Sequence, residues 1–172
     1  MNRRALLQRL GLTMGGLVAL PSWANAWSAD NLATTTWLSQ DQTATLSFAV
    51  DTLLPATDTP GAKELGVPAF VALMIQDVHE SKDQVIFQNF LQKIDSQCQY
   101  IFGKSFAEAS EKQRLQILSN LEASDLAEDK RGYGLFKNLT IQGYLTSEYV
   151  MTNILPYEFI PSRYHGCVPV TA

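Results

Sequence analysis

Charge of one sign and metal-binding side chains are both scarce in this chain. Thirteen Lys and Arg stand against 17 Asp and Glu among 172 residues, so no basic stripe is available to track a phosphate backbone. Two cysteines and two histidines leave little for a tetrahedral zinc or an iron–sulfur cluster, each of which normally takes four ligands. The Cys-x-x-Cys-His sequence that attaches haem is missing. Gly132-Tyr133-Gly134 begins like a dinucleotide fingerprint, but Lys137 stands where the third glycine belongs and no strand precedes it. Alternating apolar and polar runs that would make a sheet are also wanting. These absences exclude nucleic acid as a partner and argue against a catalytic metal, a nucleotide or a haem held by this chain itself. A 46% hydrophobic content nonetheless supplies an ordinary core for one domain.

The chain opens with Asn2-Arg3-Arg4-Ala5-Leu6-Leu7-Gln8. An uncharged run from Leu10 to Leu20 follows, diluted by Gly11, Gly15 and Gly16 and broken by Pro21. The run is too short to span a bilayer as a helix. Ala24-Asn25-Ala26 then gives the small-x-small pattern of a cleavage site. Residues 1–26 therefore read as a twin-arginine (Tat) signal peptide with Arg3 and Arg4 as its pair and Ala24 and Ala26 as its cleavage box. Cleavage after Ala26 leaves 27–172 as a helical domain. Loss of Arg3, Arg4 and Arg9 takes the basic residues from 13 to 10 against 17 acidic ones, a net of −7. The twin-arginine route carries folded proteins, so this chain, or something bound to it, crosses the membrane folded.

The remainder predicts an all-α domain of about five helices. Trp27 to Leu38 is an extended lead-in. Ser39 with Gln42 makes a capping box before Leu46, Ala49, Val50, Leu53 and Leu54, and Pro55 ends that helix. A loop holding Pro60-Gly61 leads to a second helix, Pro68 to about His79, apolar on most sides. Ser81 with Gln84 predicts another capping box, and the third helix presents Phe87, Phe90, Leu91, Ile94, Cys98, Ile101 and Phe102 on one face until Gly103 stops it. Ser110 with Gln113 caps a fourth helix bearing Leu115, Leu118 and Leu121. A fifth runs from about Glu128 to Leu145, with a short turn over 147–153. Pro156, Pro161 and Pro169 make 155–172 an irregular tail.

Single residues add little chemistry. His79 reads as a cap on the last carbonyls of its helix. Glu128-Asp129 reads as solvated surface, and the sequon Asn138-Leu139-Thr140 carries no weight within a helix. Cys98 on an apolar face reads as a small buried hydrophobe. Cys167, in Tyr164-His165-Gly166-Cys167, would pair in an oxidising compartment, either with Cys98 or with another chain. Tyr133, Phe136, Tyr144, Tyr149, Tyr157, Phe159 and Tyr164 crowd the last third. Their spacing is too irregular for one helical stripe. Tyr144, Tyr149, Tyr157, Phe159 and Tyr164 are therefore candidates to contact a partner, because tyrosine offers area at low entropy cost.

The ordered set of Leu54-Pro55, Thr59-Pro60-Gly61-Ala62, Gly66-Val67-Pro68, Gly103-Lys104-Ser105-Phe106, Leu139-Thr140-Ile141-Gln142-Gly143-Tyr144 and Tyr164-His165-Gly166-Cys167 resembles the gluconate 2-dehydrogenase subunit 3 family. The resemblance spans essentially all of 27–172. It implies a small, cofactor-free, non-catalytic subunit of a periplasmic or membrane-attached sugar or polyol dehydrogenase. It further implies an FAD-dependent large subunit of the glucose–methanol–choline type as partner, often completed by a multi-haem cytochrome c. The flavoprotein, lacking its own signal, would be escorted across by the small subunit. The competing expectation is an independent exported helical binding protein.

Overall fold

A computed structural model describes residues 37–155, in which five α-helices follow one another without a strand. They are α1 (Gln40–Leu53), α2 (Val67–Val78), α3 (Ser81–Phe102), α4 (Glu111–Glu122) and α5 (Ala127–Leu145), closed by a single π-helical turn, Val150–Ile154. The all-α expectation holds, and helix boundaries agree with the sequence patterns to within a residue or two. The signal residues Arg3, Arg4, Ala24 and Ala26 and the tail residues Tyr157, Phe159, Tyr164 and Cys167 lie outside the described residues.

Local chemistry explains most boundaries. Ser39 caps α1 in a full capping box: its Oγ accepts from the Gln42 amide at 3.1 Å while the Gln42 side chain accepts from the Ser39 amide at 3.0 Å. Ser110 and Gln113 repeat the motif at α4. Gly66 (φ 74°) and Gly103 (φ 67°) take the left-handed conformation that opens α2 and closes α3, where a side chain would be strained.

The third expected box does not form. Glu80 is the cap of α3, and Ser81 is already helical. Only His79 and Glu80 separate α2 from α3, so the end of one helix lies beside the first turn of the next. Gln84 therefore turns back and donates to the carbonyls of Ile75 (3.3 Å), Gln76 (2.9 Å) and His79 (3.4 Å). It satisfies the carbonyls expected to be capped by His79. His79 instead places Nδ1 3.5 Å from a carboxylate oxygen of Asp83.

The core is centred on α3 and α5. Phe87, Phe90, Leu91 and Ile94 from α3 meet Tyr133, Phe136 and Leu139 from α5, all buried. Gly132 allows the close approach: a β-carbon there would lie 2.8 Å from Cβ of Phe90. Leu46, Ala49 and Val50 of α1, Val71 and Ile75 of α2, and Ile117, Leu118 and Leu121 of α4 complete the core. Leu115, expected among them, is 56% exposed because the buried stripe of α4 runs through Ile117, Leu118 and Leu121. Leu115 lies roughly 110° round the helix from the centre of that stripe. Ile101, in the last turn of α3, is exposed as well.

The lead-in and the α3–α4 loop are tied down by directed hydrogen bonds. Trp37 Nε1 donates to the Ala72 carbonyl at 3.1 Å, and Gln88 donates to the Trp37 carbonyl at 3.1 Å. Asp95 accepts from the Phe106 amide at 2.8 Å, and Arg114 donates to the carbonyls of Phe106 and Ala107 at 3.1 and 2.8 Å. These contacts seat Phe106 fully in the core. Phe48 of α1 carries two cations over its ring, with Lys63 Nζ and the Arg114 guanidinium each 4.2 Å from the centroid.

Candidate functional site

The two ends of α5 do different work. At its start, two carboxylates are taken out of water and paired. Arg131 holds Asp83 with two hydrogen bonds of 3.1 and 2.7 Å, and His79 stands beside it. Lys93 Nζ contacts both oxygens of Asp129 at 2.7 Å, and Ser124 Oγ donates to the same carboxylate at 2.5 Å. Asp129 is therefore buried rather than solvated surface, while its neighbour Glu128 is exposed as expected. The segment before α5 folds Ser124 and Lys93 over that carboxylate.

The electrostatics follow from these contacts. The Arg131 guanidinium, with His79 assisting, holds the Asp83 carboxyl below its usual range against the opposing effect of burial. Burial pushes Asp129 upward, but the hydrogen bonds from Lys93 and Ser124 together outweigh it, and the net displacement is downward. Burial, reinforced by the Glu122 carboxylate, pushes the Tyr133 hydroxyl up to about 12.

Both aspartates are more acidic in the folded chain than in the unfolded one. Their contribution to stability is present above the unfolded value, about 3.9, and is lost as pH falls through the folded values. Thermal melts of the wild-type chain are therefore expected to drop steeply below about pH 4. Asp83→Asn should show a lower melting temperature at neutral pH and a shallower acid slope. An Asp83→Asn slope identical to the wild type would contradict the assignment.

At the far end of α5, about 18 Å along the helix from Arg131, the surface is apolar and open. Gly143 brings α5 against the first turns of α2: a β-carbon there would lie 2.6 Å from Cδ1 of Phe70 and 3.1 Å from Cγ1 of Val67. The 55–66 loop is folded onto the same end. Ala62 donates to the Leu54 carbonyl at 3.0 Å, and Gly61 sits where a β-carbon would come within 2.7 Å of the Ala56 amide nitrogen. Tyr144 pins this loop, its hydroxyl lying 3.2 Å from Thr59 Oγ1 and 3.3 Å from the Pro60 carbonyl.

Between them runs a groove of about 320 Å³ lined by Leu65, Val67, Ala69, Phe70, Leu73 and Gly143, with Thr146 and Ser147 on its rim. A second cleft, of about 430 Å³, shares Leu65 and Ser147 and continues past Glu64, Tyr149, Thr152 and Asn153. The described residues end at Leu155, two positions after Asn153.

Several segments quoted from the sequence thus meet at one place: Thr59-Pro60-Gly61-Ala62, Gly66-Val67-Pro68 and Gly143-Tyr144. Of the candidate contact residues, Tyr149 lines the second cleft and Tyr144 is engaged within the domain. Cys98 is fully buried, and burial pushes its thiol upward, reinforced by the Asp95 carboxylate. Reading the sequence did not single out Leu65, Phe70 or Leu73. Their signal was the surplus apolar face of the second helix, which has more hydrophobic residues than one core can cover. Among the described residues, no group of three or more His, Cys, Asp or Glu side chains is placed to hold a metal ion, and no helix is long and apolar enough to cross a membrane.

A helical bundle braced by ion pairs at one end and opened into an apolar groove at the other defines a small all-α domain. The sequence model of the family described as gluconate 2-dehydrogenase subunit 3 matches residues 40–161, and the chain belongs to that family. The family's name describes a subunit of a dehydrogenase complex. Comparison with curated proteins and with solved structures found no match.

Proposed function

We propose that this chain is the non-catalytic accessory subunit of a periplasmic, FAD-dependent sugar or polyol dehydrogenase complex of the gluconate type. In this reading the large subunit is a flavoprotein of the glucose–methanol–choline type, and a multi-haem cytochrome c completes the assembly. The small subunit carries the twin-arginine signal, brings the folded flavoprotein through the membrane and stabilises it. The observation that carries the proposal is the family match over residues 40–161. The Arg3-Arg4 leader and the open groove beside Tyr149 support it. The partner contacts this end of the bundle and the chain beyond Leu155, Tyr164 and Cys167 included.

Co-expression with the flavoprotein tests the reading. An affinity tag on this chain should retain the large subunit with stoichiometric flavin, whereas this chain purified alone should show neither flavin nor haem absorbance and no turnover. Failure of the flavoprotein to co-purify sinks the accessory role. Stoichiometric flavin on this chain alone sinks its non-catalytic character.

The proposed assembly includes a bridge from Cys167 to another chain. Non-reducing electrophoresis of the exported complex should show a band at the summed mass of two subunits, which Cys167→Ser abolishes. A monomer band with Cys167 freely alkylatable would refute the bridge.

A further inference from the structure

We infer that the groove between α2 and the end of α5 receives a segment of another subunit in which a few apolar side chains are followed by a lysine or arginine. The apolar part lies along the Leu65–Leu73 wall, and the cation sits by Glu64 and Glu148. The inference rests on the accessory reading only for the source of that segment, a subunit of the complex. The chemistry of the seat comes from the residues that line it.

The wall sets the apolar part. Leu65, Val67, Phe70 and Leu73 line a groove of about 320 Å³. From Val67 to Leu73 the helix rises about 9 Å, room for about two or three apolar side chains. Exposed apolar concavities of this kind mark surfaces that a partner covers.

The rim sets the charge. At its Leu65 end the groove joins the cleft that holds Glu64, Glu148 and Tyr149. Both carboxylates are exposed, and neither has an ion-pair partner among the described residues. Lys63, next to Glu64 in the chain, has its ammonium over the Phe48 ring instead. The Tyr149 ring in the same cleft adds an aromatic face, which also attracts cations.

Hydrogen bonding points to the same occupant. Thr146 and Ser147 donate to the carbonyls of Gln142 and Tyr144 at 2.9 and 2.7 Å, and Thr152 donates to the Glu148 carbonyl at 2.7 Å. Asn153 Nδ2 donates to the Tyr149 carbonyl at 3.0 Å and to Thr152 Oγ1 at 2.9 Å. These side chains have spent their donors within the domain and have only oxygen lone pairs left to offer. The first turn of α2 offers an anion little, since the Val67 amide donates to the Ala62 carbonyl at 3.1 Å and Pro68 has no amide hydrogen. An acidic segment would meet two like charges here. A wholly apolar one would strip water from the carboxylates without replacing it, which is costly. An ammonium or guanidinium brings positive charge and several donors at once.

A phage-displayed random peptide library selected on the immobilised full chain tests the seat without the flavoprotein. The selected sequences should share an apolar run followed by Lys or Arg. Glu64→Lys with Glu148→Lys, at two exposed positions, should keep the apolar run and exchange the cation for Asp or Glu. A synthetic peptide of the selected sequence should bind Glu64→Gln with Glu148→Gln several-fold more weakly, and its affinity for that variant should respond less to added salt.

Alkylation locates the peptide. In a Cys167→Ser background, the same peptide carrying a bromoacetyl group should modify Thr146→Cys, on the rim, many-fold faster than Val78→Cys, exposed at the other end of α2. No shared sequence, a shared sequence without a cation, one that the paired lysines leave unchanged, or equal alkylation at the two positions overturns the proposal. Failure of the flavoprotein to co-purify does not alter these readouts, so the two proposals fail separately.

Discussion

With Arg3 and Arg4 both replaced by lysine, this chain and the flavoprotein proposed as its partner are expected to remain in the cytoplasm. Periplasmic dehydrogenase activity should fall to background. The charge of the leader is conserved in that variant, so a general requirement for positive residues before an apolar run stays satisfied. Only the paired guanidinium groups are removed, and their planar, multiply donating geometry is what an ammonium cannot reproduce. In the proposed complex the physical need for the route would lie in the partner: a flavoprotein that folds around FAD before export would lose it if threaded unfolded. Fractionation of cells carrying the double variant, with flavin fluorescence and immunoblots for both subunits, gives the answer. Flavoprotein that still reaches the periplasm would end the escort role and leave only a stabilising one.

Phe90→Ala is expected to have the largest effect on the domain itself. The Phe90 ring is 3% exposed and stands 5.8 Å from Phe136, 6.3 Å from Phe87 and 6.3 Å from Tyr133, the last edge-on. Gly132 brings the α5 backbone so close beneath it that the void cannot be filled from that side by a side chain. Truncating a core phenylalanine typically costs about 3–5 kcal/mol, against a total stability on the order of 5–15 kcal/mol for a domain. The melting temperature should fall by at least about 10 °C. Tyr100→Ala, at a position 90% exposed, should change stability by no more than about 0.5 kcal/mol. Comparable shifts for the two variants would show that Phe90 is not the centre of the core.

Much of this fold was legible because its signals are local. Ser39–Gln42 and Ser110–Gln113 announce helix starts through bonds spanning three residues, and Gly66 and Gly103 announce boundaries through backbone conformations that other residues resist. The Ser81–Gln84 pair has the same spelling and fails. A two-residue connection puts competing carbonyls within reach of Gln84, which is a tertiary fact. Asp129 misled for the same reason: its partners Lys93 and Ser124 come from other segments, and nothing in Glu128-Asp129 marks which carboxylate is buried.

The groove was the least legible feature. Leu65, Phe70 and Leu73 are ordinary apolar residues in a helical region, and only the docking of Gly143 against Phe70 leaves them on an open wall. Tyr144 was singled out in the sequence as a candidate to contact a partner; its hydroxyl is engaged instead by the chain's own Thr59 and Pro60.

The way the cations are spent sets the field around the molecule. Lys63 and Arg114 lie over Phe48; Lys93 and Arg131 are locked to Asp129 and Asp83; Lys82, Lys130 and Lys137 face Glu80, Asp125 and Glu122. Seven of the ten lysines and arginines of 27–172 are thus engaged at short range, within contacts this chain makes to itself; Lys104, Lys112 and Arg163 are not among them. Over 27–172 the 17 acidic residues outnumber the 10 basic ones, which gives that stretch a net negative potential. Anionic lipid headgroups are repelled by such a surface, while a basic patch on an approaching protein is drawn in from beyond contact distance. The attraction weakens over a Debye length of about 8 Å at physiological salt. The bracing of the bundle and the long-range selection of what may approach it are therefore two results of the same placement of lysines and arginines.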